Sequence, residues 1–190
     1  MKYLSVNILD LLEEAKKGDV NNVISSFACP LNDEIVYFLN KNASIFAQKK
    51  IAMTYLIFDK TTFDFLGYYT LTNKSISIKH DAIPKKYIGS IERYLKLDNE
   101  LNYVGPCYLI AQLSKNYAIK SNPITGAELL DDAISHLKDA QHLVGGGFVY
   151  LECEEGKPAL VKTYEKYGFV YTDNRKSDDG INYKRMLKKI

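Results

Sequence analysis

Tryptophan is missing from the 190 residues, and cysteine and histidine are scarce, with three of each. Cys29, Cys107 and Cys153 lie far apart, so no pair has the spacing of a zinc knuckle or a redox motif. His80, His136 and His142 offer little metal-ligand material. His136 and His142 stand six apart on an expected helix, off the i, i+4 spacing that puts two ligands on one face. Packed or surface histidines are the simpler reading. No stretch of about 18 consecutive apolar residues occurs, so no transmembrane helix is expected. Walker and Rossmann glycine patterns are missing too, which argues against the common nucleotide-phosphate enzymes. A charge of one sign is also lacking: 25 Lys+Arg against 23 Asp+Glu leave a formal +2. That balance argues against a protein that coats nucleic acid, while leaving room for a small basic patch. The opening MKYLSVNILDLLEEAKKGD meets an acid at Asp10 and has no long apolar run, so no signal peptide is expected. Unpaired thiols suit a reducing compartment, and a soluble, cytoplasmic protein is the expectation.

What is abundant is aromatic: 15 Tyr and 8 Phe. Hydrophobic residues at 46% and charged residues at 25% are ordinary globular values. The length suits one domain, 1–190, with N-terminal helices over 1–50 and a sheet-bearing core over 51–190. Ser5 is a candidate cap for a first helix through Ile8, Leu9, Leu11, Leu12 and Ala15, with Gly18 as its end. A second helical stretch carries Val20, Val23, Ile24 and Phe27 and breaks at Cys29-Pro30. Asn32 is a good N-cap for a third, with Asp33 and Glu34 in its first turn. Apolar spacing carries that helix to about Gln48. The run from Ala52 to Phe58 and the run from Phe63 to Thr72, joined by Asp59-Lys60-Thr61, read as a β-hairpin. Ile76 and Ile78 extend strand character past a polar break. The stretch Ile83 to Leu97 is mixed, and Pro84 at a helix start with Tyr87, Ile88, Ile91, Tyr94 and Leu95 suggests a short helix.

Cys107 to Leu113 is an almost continuous apolar run, expected as a strand covered on both faces. A polar loop, Ser114 to Pro123, leads to a helix from about Thr125 to His142 with a clear apolar stripe. Gly145-Gly146-Gly147 stops it. A strand at Phe148 to Leu151, a helix from Pro158 to Tyr167 and two short strands follow. The fold class is therefore mixed α/β. The turn from the buried strand into the long helix is a natural anion site, because a helix N-terminus exposes free N–H groups at its positive end.

This order of elements, with the loop-to-helix turn and the Tyr164-x-x-x-Gly168-Phe169 ending, resembles the GNAT-type N-acetyltransferases. The stretch from Asn32 to Ala47, followed by Thr54-Tyr55-Leu56 and Gly67-Tyr68-Tyr69-Thr70-Leu71, is similar to the toxin-like branch of that family. The resemblance implies a mixed, mostly antiparallel twisted sheet with a splayed pair of parallel strands and flanking helices. It implies acetyl-CoA as acetyl donor, its pyrophosphate held by a Gln/Arg-x-x-Gly-x-Gly/Ala loop. Here Ser121 takes the Gln/Arg position, Asn122 and Pro123 follow, Ile124 takes the first Gly, and only Gly126 matches. Pro123 removes one donor, and Ile124 disfavours positive φ. The packing alternative for Gly126 is a glycine that lets the helix N-terminus come close to a neighbour. The resemblance assigns cofactor contacts to Ser121, Asn122, Ile124, Thr125, Gly126 and Ala127, and to Gln112, Leu113 and Ser114 on the preceding strand. Gln112, inside an apolar run, also calls for a hydrogen-bond partner on its own account.

By the same resemblance Tyr164 is the general acid that protonates the departing thiolate; a phenol, with a pKa of about 10, suits that task. Tyr167 is off the matching position, and Lys157 and Leu160 replace an upstream Asn and Ala of the family pattern. The packing alternative for Tyr164 is the apolar side of its helix. Glu152, Glu154 and Glu155 receive no role, and Cys153 lacks a neighbouring base. The leading reading is transfer of acetyl from acetyl-CoA to a primary amine in a ternary complex. The expected partners are acetyl-CoA and an amine acceptor (a small molecule, a protein or an aminoacyl-tRNA), without a membrane, and a homodimer is left open. The alternative is a non-catalytic binding module on the same fold with weakened cofactor affinity.

Overall fold

The computed structural model describes residues 2–15, 17–177 and 180–190. Eight strands are hydrogen-bonded in the order β1-β2-β3-β5-β6-β8-β7, with β4 beside β5. They are β1 (Tyr3–Asn7), β2 (Met53–Asp59), β3 (Phe65–Lys79), β4 (Lys96–Leu97), β5 (Asn102–Lys115), β6 (Phe148–Glu154), β7 (Val170–Lys176) and β8 (Asn182–Lys189). The sheet is mostly antiparallel. Its parallel ladder, β5 to β6, is two residue pairs long, Tyr108 opposite Val149 and Leu109 opposite Tyr150. Helices α1 (Ile8–Glu14), α2 (Lys17–Ser25), α3 (Asp33–Tyr37), α4 (Ala43–Gln48), α5 (Ile88–Ile91), α6 (Gly126–Val144) and α7 (Pro158–Lys166) complete the architecture. The mixed α/β class with a mostly antiparallel sheet, one parallel pair and flanking helices is as expected.

The chain forms two compact units. The first comprises Met1–Thr72 and Ile110–His136. Its core gathers Ile8, Val20, Ile24, Phe27, Leu39, Ala43, Leu56, Phe65 and Tyr68. Asn32 caps α3 as expected, its Oδ1 accepting from the Glu34 N–H at 2.9 Å. The helix runs on to Gln48 through a π-helical turn, Phe38–Asn42. Three expectations fail at the start of the chain. Residues 3–7 are a strand paired antiparallel with β2, so the first fifty residues are not helices alone. Ser5 lies inside that strand, its hydroxyl 3.2 Å from that of Tyr69, and Asn7 caps α1 instead. Gly18 falls within α2 rather than at a helix end.

The hairpin of β2 and β3 is in the expected place. Thr54 and Thr70 face each other in its register and are fully buried. Their hydroxyls satisfy one another at 2.8 Å, which removes the cost of two unpaired polar groups in the core. The turn is built on Asp59, whose carboxylate accepts from the N–H groups of Thr61 and Thr62. Those backbone hydrogen bonds hold the Asp59 carboxyl below its ordinary range. The polar break expected near residue 73 is uninterrupted strand, because β3 runs to Lys79. The first half of α6 is fastened by Tyr69, whose hydroxyl donates to Asp132 Oδ2 at 2.7 Å and lies 2.9 Å from His136 Nδ1.

The second unit comprises Asn73–Leu109 and Leu137–Ile190. Ile76, Ile78, Ile91, Leu95, Tyr103, Cys107, Phe148, Tyr150 and Leu187 form its core. Helix α7 ends in a Schellman turn: the Phe169 N–H donates to the Tyr164 carbonyl at 3.1 Å and the Gly168 N–H to that of Glu165 at 2.9 Å. Gly168 sits at φ +82, which glycine adopts without the Cβ penalty. Asp98 builds a turn like that of Asp59, accepting from the N–H groups of Glu100 and Asn102, and its carboxyl is likewise held low.

Two measurements probe this packing. A Cβ on Gly67 would lie 2.6 Å from the Ser114 carbonyl oxygen, a backbone atom that cannot swing aside. Gly67→Ala should therefore destabilise by about 1–3 kcal/mol, read as a lowered melting temperature. Because Asp59 and Asp98 have depressed folded-state values, their stabilisation is complete above the ordinary carboxylate value of about 4 and is lost as pH falls through the folded value. The double variant Asp59→Asn, Asp98→Asn should show a shallower fall in melting temperature under acid; an unchanged slope removes these turns from the acid response.

Candidate functional site

Strand β5 changes character midway. Residues Cys107 to Ile110 are buried, but Ala111 is exposed and Gln112 and Leu113 are half-buried. The strand is thus covered on both faces only over Cys107 to Ile110, and not to Leu113 as the sequence suggests. Gln112 is not a buried amide: among the described residues its side chain has no protein partner, and solvent reaches it. Ser114 is buried, with its hydroxyl donating to the Lys115 carbonyl at 3.0 Å and lying 3.5 Å from Cys29 Sγ. Its side chain is therefore engaged inside the first unit.

Beyond β5 the chain enters the loop that opens α6. Ser121 is exposed on it. The Asn122 side chain is used within the loop: Nδ2 donates to the carbonyls of Leu66 (2.7 Å) and Asn116 (2.9 Å), and Oδ1 accepts from the Ile124 N–H (3.1 Å). Ile124 is buried, and its backbone is not among those with positive φ, so the feared strain does not arise. Its N–H is already engaged by Asn122.

Thr125 and Glu128 form a capping box. Thr125 Oγ1 accepts from the Glu128 N–H at 3.1 Å, and Glu128 Oε2 accepts from both the N–H and the hydroxyl of Thr125 at 2.8 Å. The bond from the Thr125 N–H, foremost, holds the Glu128 carboxyl below its ordinary value. Two of the orphan donors of this helix end are thereby satisfied. Among the described residues nothing accepts from the N–H of Gly126 or Ala127. Nothing lies within 4 Å of where a Gly126 Cβ would stand, so packing does not require glycine there. Two unengaged N–H groups at the start of a 19-residue helix are the kind of donors an anion uses.

A cavity of about 310 Å³ in the same unit is a poor match for that ligand. It is lined by Lys2, Tyr3, Ser5 and Ile57, and on the α6 side by Glu128, Asp131 and Asp132. Three carboxylates outweigh the single ammonium of Lys2, a balance that disfavours a diphosphate.

Tyr164 lies in the second unit, with the ring buried at 9% exposure and edge-on to Phe169 at 5.9 Å between centroids. The signature Tyr-x-x-x-Gly-Phe thus has a local cause. Tyr164 and Phe169 are the C3 and C″ residues of the Schellman turn, whose apolar contact accompanies its hydrogen bonds. That contact uses the ring and leaves the hydroxyl over. Among the described residues the hydroxyl has no partner, and the oxygen is not a buried orphan. Burial, and then the neighbouring Cys153, push the phenol up to about 12, so it carries its proton throughout the neutral range. Tyr167 follows α7, its carbonyl accepting from Lys188 Nζ at 2.6 Å.

All three cysteines are free and buried. Burial raises the thiols of Cys107, to about 12, and of Cys153, which removes thiolate nucleophiles at neutral pH. Glu152 faces Arg175 and Arg185 in ion pairs. Among the described residues no group of three or more His, Cys, Asp or Glu could hold a metal ion. No helix of the described residues is long and apolar enough to cross a membrane.

The structure places Gln112, Leu113, Ser114, Ser121, Asn122, Ile124, Thr125, Gly126 and Ala127 together in the first unit, and Tyr164 in the second. Sequence reasoning missed Asn116, whose partners are remote in the chain, and it missed Glu128. The Thr-x-x-Glu spacing of a capping box was the available signal for the latter.

No protein-family model matches the sequence, and no curated protein matches it. Solved structures do match, over nearly the whole chain. A structure described as a bacterial toxin superposes with a TM-score of 0.69 at 18% identity, covering 99% of this chain and 90% of its own. A mutant of KacT gives 0.67 at 17% identity, covering 100% and 95%. AtaT complexed with acetyl-methionyl-tRNAfMet gives 0.65 at 18% identity, covering 96% and 93%. At these identities the likeness is one of fold: the chain has the GNAT-like fold of the AtaT and KacT structures.

Proposed function

We propose that this chain is an acetyl-CoA-dependent N-acetyltransferase that passes acetyl to a primary amine by direct transfer. The observation that carries the reading is the unengaged pair of N–H groups on Gly126 and Ala127, left over by the Thr125–Glu128 capping box. By the family resemblance the loop opening this helix is the one that holds a pyrophosphate, and backbone donors work whatever the flanking side chains are. AtaT in complex with acetyl-CoA and in complex with an acetylated tRNA supports the same reading.

Each residue then has a task. Gly126 and Ala127 donate to the diphosphate, with Ser121 and Thr125 at the rim and Asn122 and Ile124 shaping the loop. The main chain of Gln112 to Ser114 accompanies the pantetheine and acetyl portion, and the N–H near Leu113 polarises the thioester carbonyl. A neutral amine attacks that carbonyl carbon. The new C–N bond forms as the C–S bond breaks, and Tyr164 gives its proton to the leaving sulfur. A proton leaves the attacking nitrogen to solvent, and the phenolate is reprotonated from solvent. The acceptor is a primary amine; the α-amino group of an aminoacyl-tRNA is the first to assay, because AtaT is found with an acetylated one.

Isothermal titration with acetyl-CoA should show saturable binding in the micromolar to low millimolar range. Absence of heat at millimolar ligand would sink the enzyme reading and favour a non-catalytic module on this fold. Tyr164→Phe should lower turnover by about 10²–10⁴-fold, the usual contribution of a general acid, with acetyl-CoA affinity unchanged. Undiminished turnover in that variant would remove Tyr164 from the mechanism.

Glu128→Gln provides a third check. It keeps an acceptor for the Thr125 N–H but removes a negative charge from the helix end, so acetyl-CoA should bind several-fold tighter at low salt. Affinity equal to that of the parent at low salt would place the diphosphate elsewhere.

A further inference from the structure

We infer that Asn116, acting with Asn122, is a positioning residue that fixes the Gly126–Ala127 donor pair for the diphosphate. The inference rests on the acetyl-CoA reading and adds the element that orients its anion site.

Asn116 follows the last residue of β5 and is 2% exposed. Both ends of its side chain are engaged with backbone from other segments. Oδ1 accepts from the N–H groups of Ala28 and Ala118, each at 3.0 Å. Nδ2 donates to the Phe65 carbonyl at 2.9 Å and lies 3.5 Å from that of Ser26. Its own main chain joins in: the Asn116 N–H donates to the Leu66 carbonyl at 2.7 Å, and its carbonyl accepts from Asn122 Nδ2. The Tyr117 N–H closes the set on the Ala28 carbonyl at 2.8 Å. Residues 26–28, the start of β3 and the loop after β5 are therefore joined at one amide.

Asn122 carries that fixation onward. Its Nδ2 shares the Leu66 carbonyl with the Asn116 N–H, and its Oδ1 holds the Ile124 N–H, one residue before the capping box begins. The path from Asn116 to Gly126 thus contains a hydrogen-bonded bracket at each end, and neither bracket uses the Gly126 or Ala127 donor. A family loop rich in glycine reaches its shape through glycine's free φ. This loop has only Gly126 at the matching positions, and two asparagine side chains fix its path instead. Donors held in advance lose little ordering entropy when the anion arrives.

The distinguishing experiment compares two thioesters. Acetyl-CoA carries the diphosphate; acetyl-pantetheine lacks it. Binding of both is followed by titration and by the amide resonances of Gly126 and Ala127. In the parent protein acetyl-CoA should shift both resonances and acetyl-pantetheine neither. In Asn122→Ala acetyl-CoA should bind about tenfold more weakly, the scale of a disordered hydrogen bond to a charged group, with acetyl-pantetheine affinity unchanged. Asn116→Asp, which keeps the Ala28 and Ala118 acceptor but loses the donor to Phe65, should show the same split, with a thermal melt recording its fold. Equal affinity of the parent and Asn122→Ala for acetyl-CoA overturns the inference. Equal weakening of both thioesters overturns it too, since that reports general damage. A parent protein that binds neither thioester overturns the acetyl-CoA reading itself, a result separate from the other two.

Discussion

Where a central strand leaves its sheet, backbone groups that a ladder would have satisfied must find other partners or be buried at a cost of about 1–3 kcal/mol each. At the end of β5 that requirement falls on Asn116, whose buried amide serves the chain after α2, the start of β3 and the loop ahead of α6. Gly67 makes this possible in the neighbouring strand. Its missing side chain lets the Ser114 carbonyl come close to β3, at a spacing that no Cβ would tolerate. The course of the loop, the first turn of α6 and the two donors on it all follow from this junction.

A helix N-terminus has a limited number of N–H groups to offer, and here the sequence divides them. Thr125 and Glu128 satisfy each other, which stabilises the helix on its own account. The remaining donors, on Gly126 and Ala127, are engaged by no group of the described residues. Helix capping and the proposed anion binding therefore draw on separate atoms of one turn. The cost is electrostatic: the Glu128 carboxylate stands within the same turn as the donors, so helix capping and anion affinity oppose each other through that one charge.

Much of this was legible in the chain, and the exceptions have physical reasons. Asn32 as a cap, the hairpin on Asp59 and the stripe of α6 are local patterns, and each stands where expected. Strand β1 went unread because five residues alternating in polarity run straight into the helical spacing of Ile8 and Leu9. Only its pairing with β2 reveals it. Gln112 was read as buried because its neighbours are apolar, but a strand that surfaces at Ala111 leaves it half-exposed. Gly126 is singled out by the family's loop pattern lined up on the start of α6. Asn116 was not found, since its partners lie up to 90 positions away and nothing in its immediate neighbours points to them.

The tyrosines illustrate how position separates chemistry from bulk. Tyr68, Tyr69 and Tyr103 are fully buried, and each hydroxyl is engaged: by the Ile35 carbonyl, by Asp132 and by Glu92. Their polar ends are satisfied as a buried phenol requires. Tyr164 shares their burial and differs in its hydroxyl, which no protein group engages among the described residues. The Schellman turn accounts for its ring and for Gly168, so local stability explains every part of the motif except that oxygen. A phenylalanine would serve the turn equally well. The same burial that fixes the ring holds the proton on the oxygen at neutral pH. The group is thereby in the protonated state that the proposed protonation of a leaving thiolate calls for.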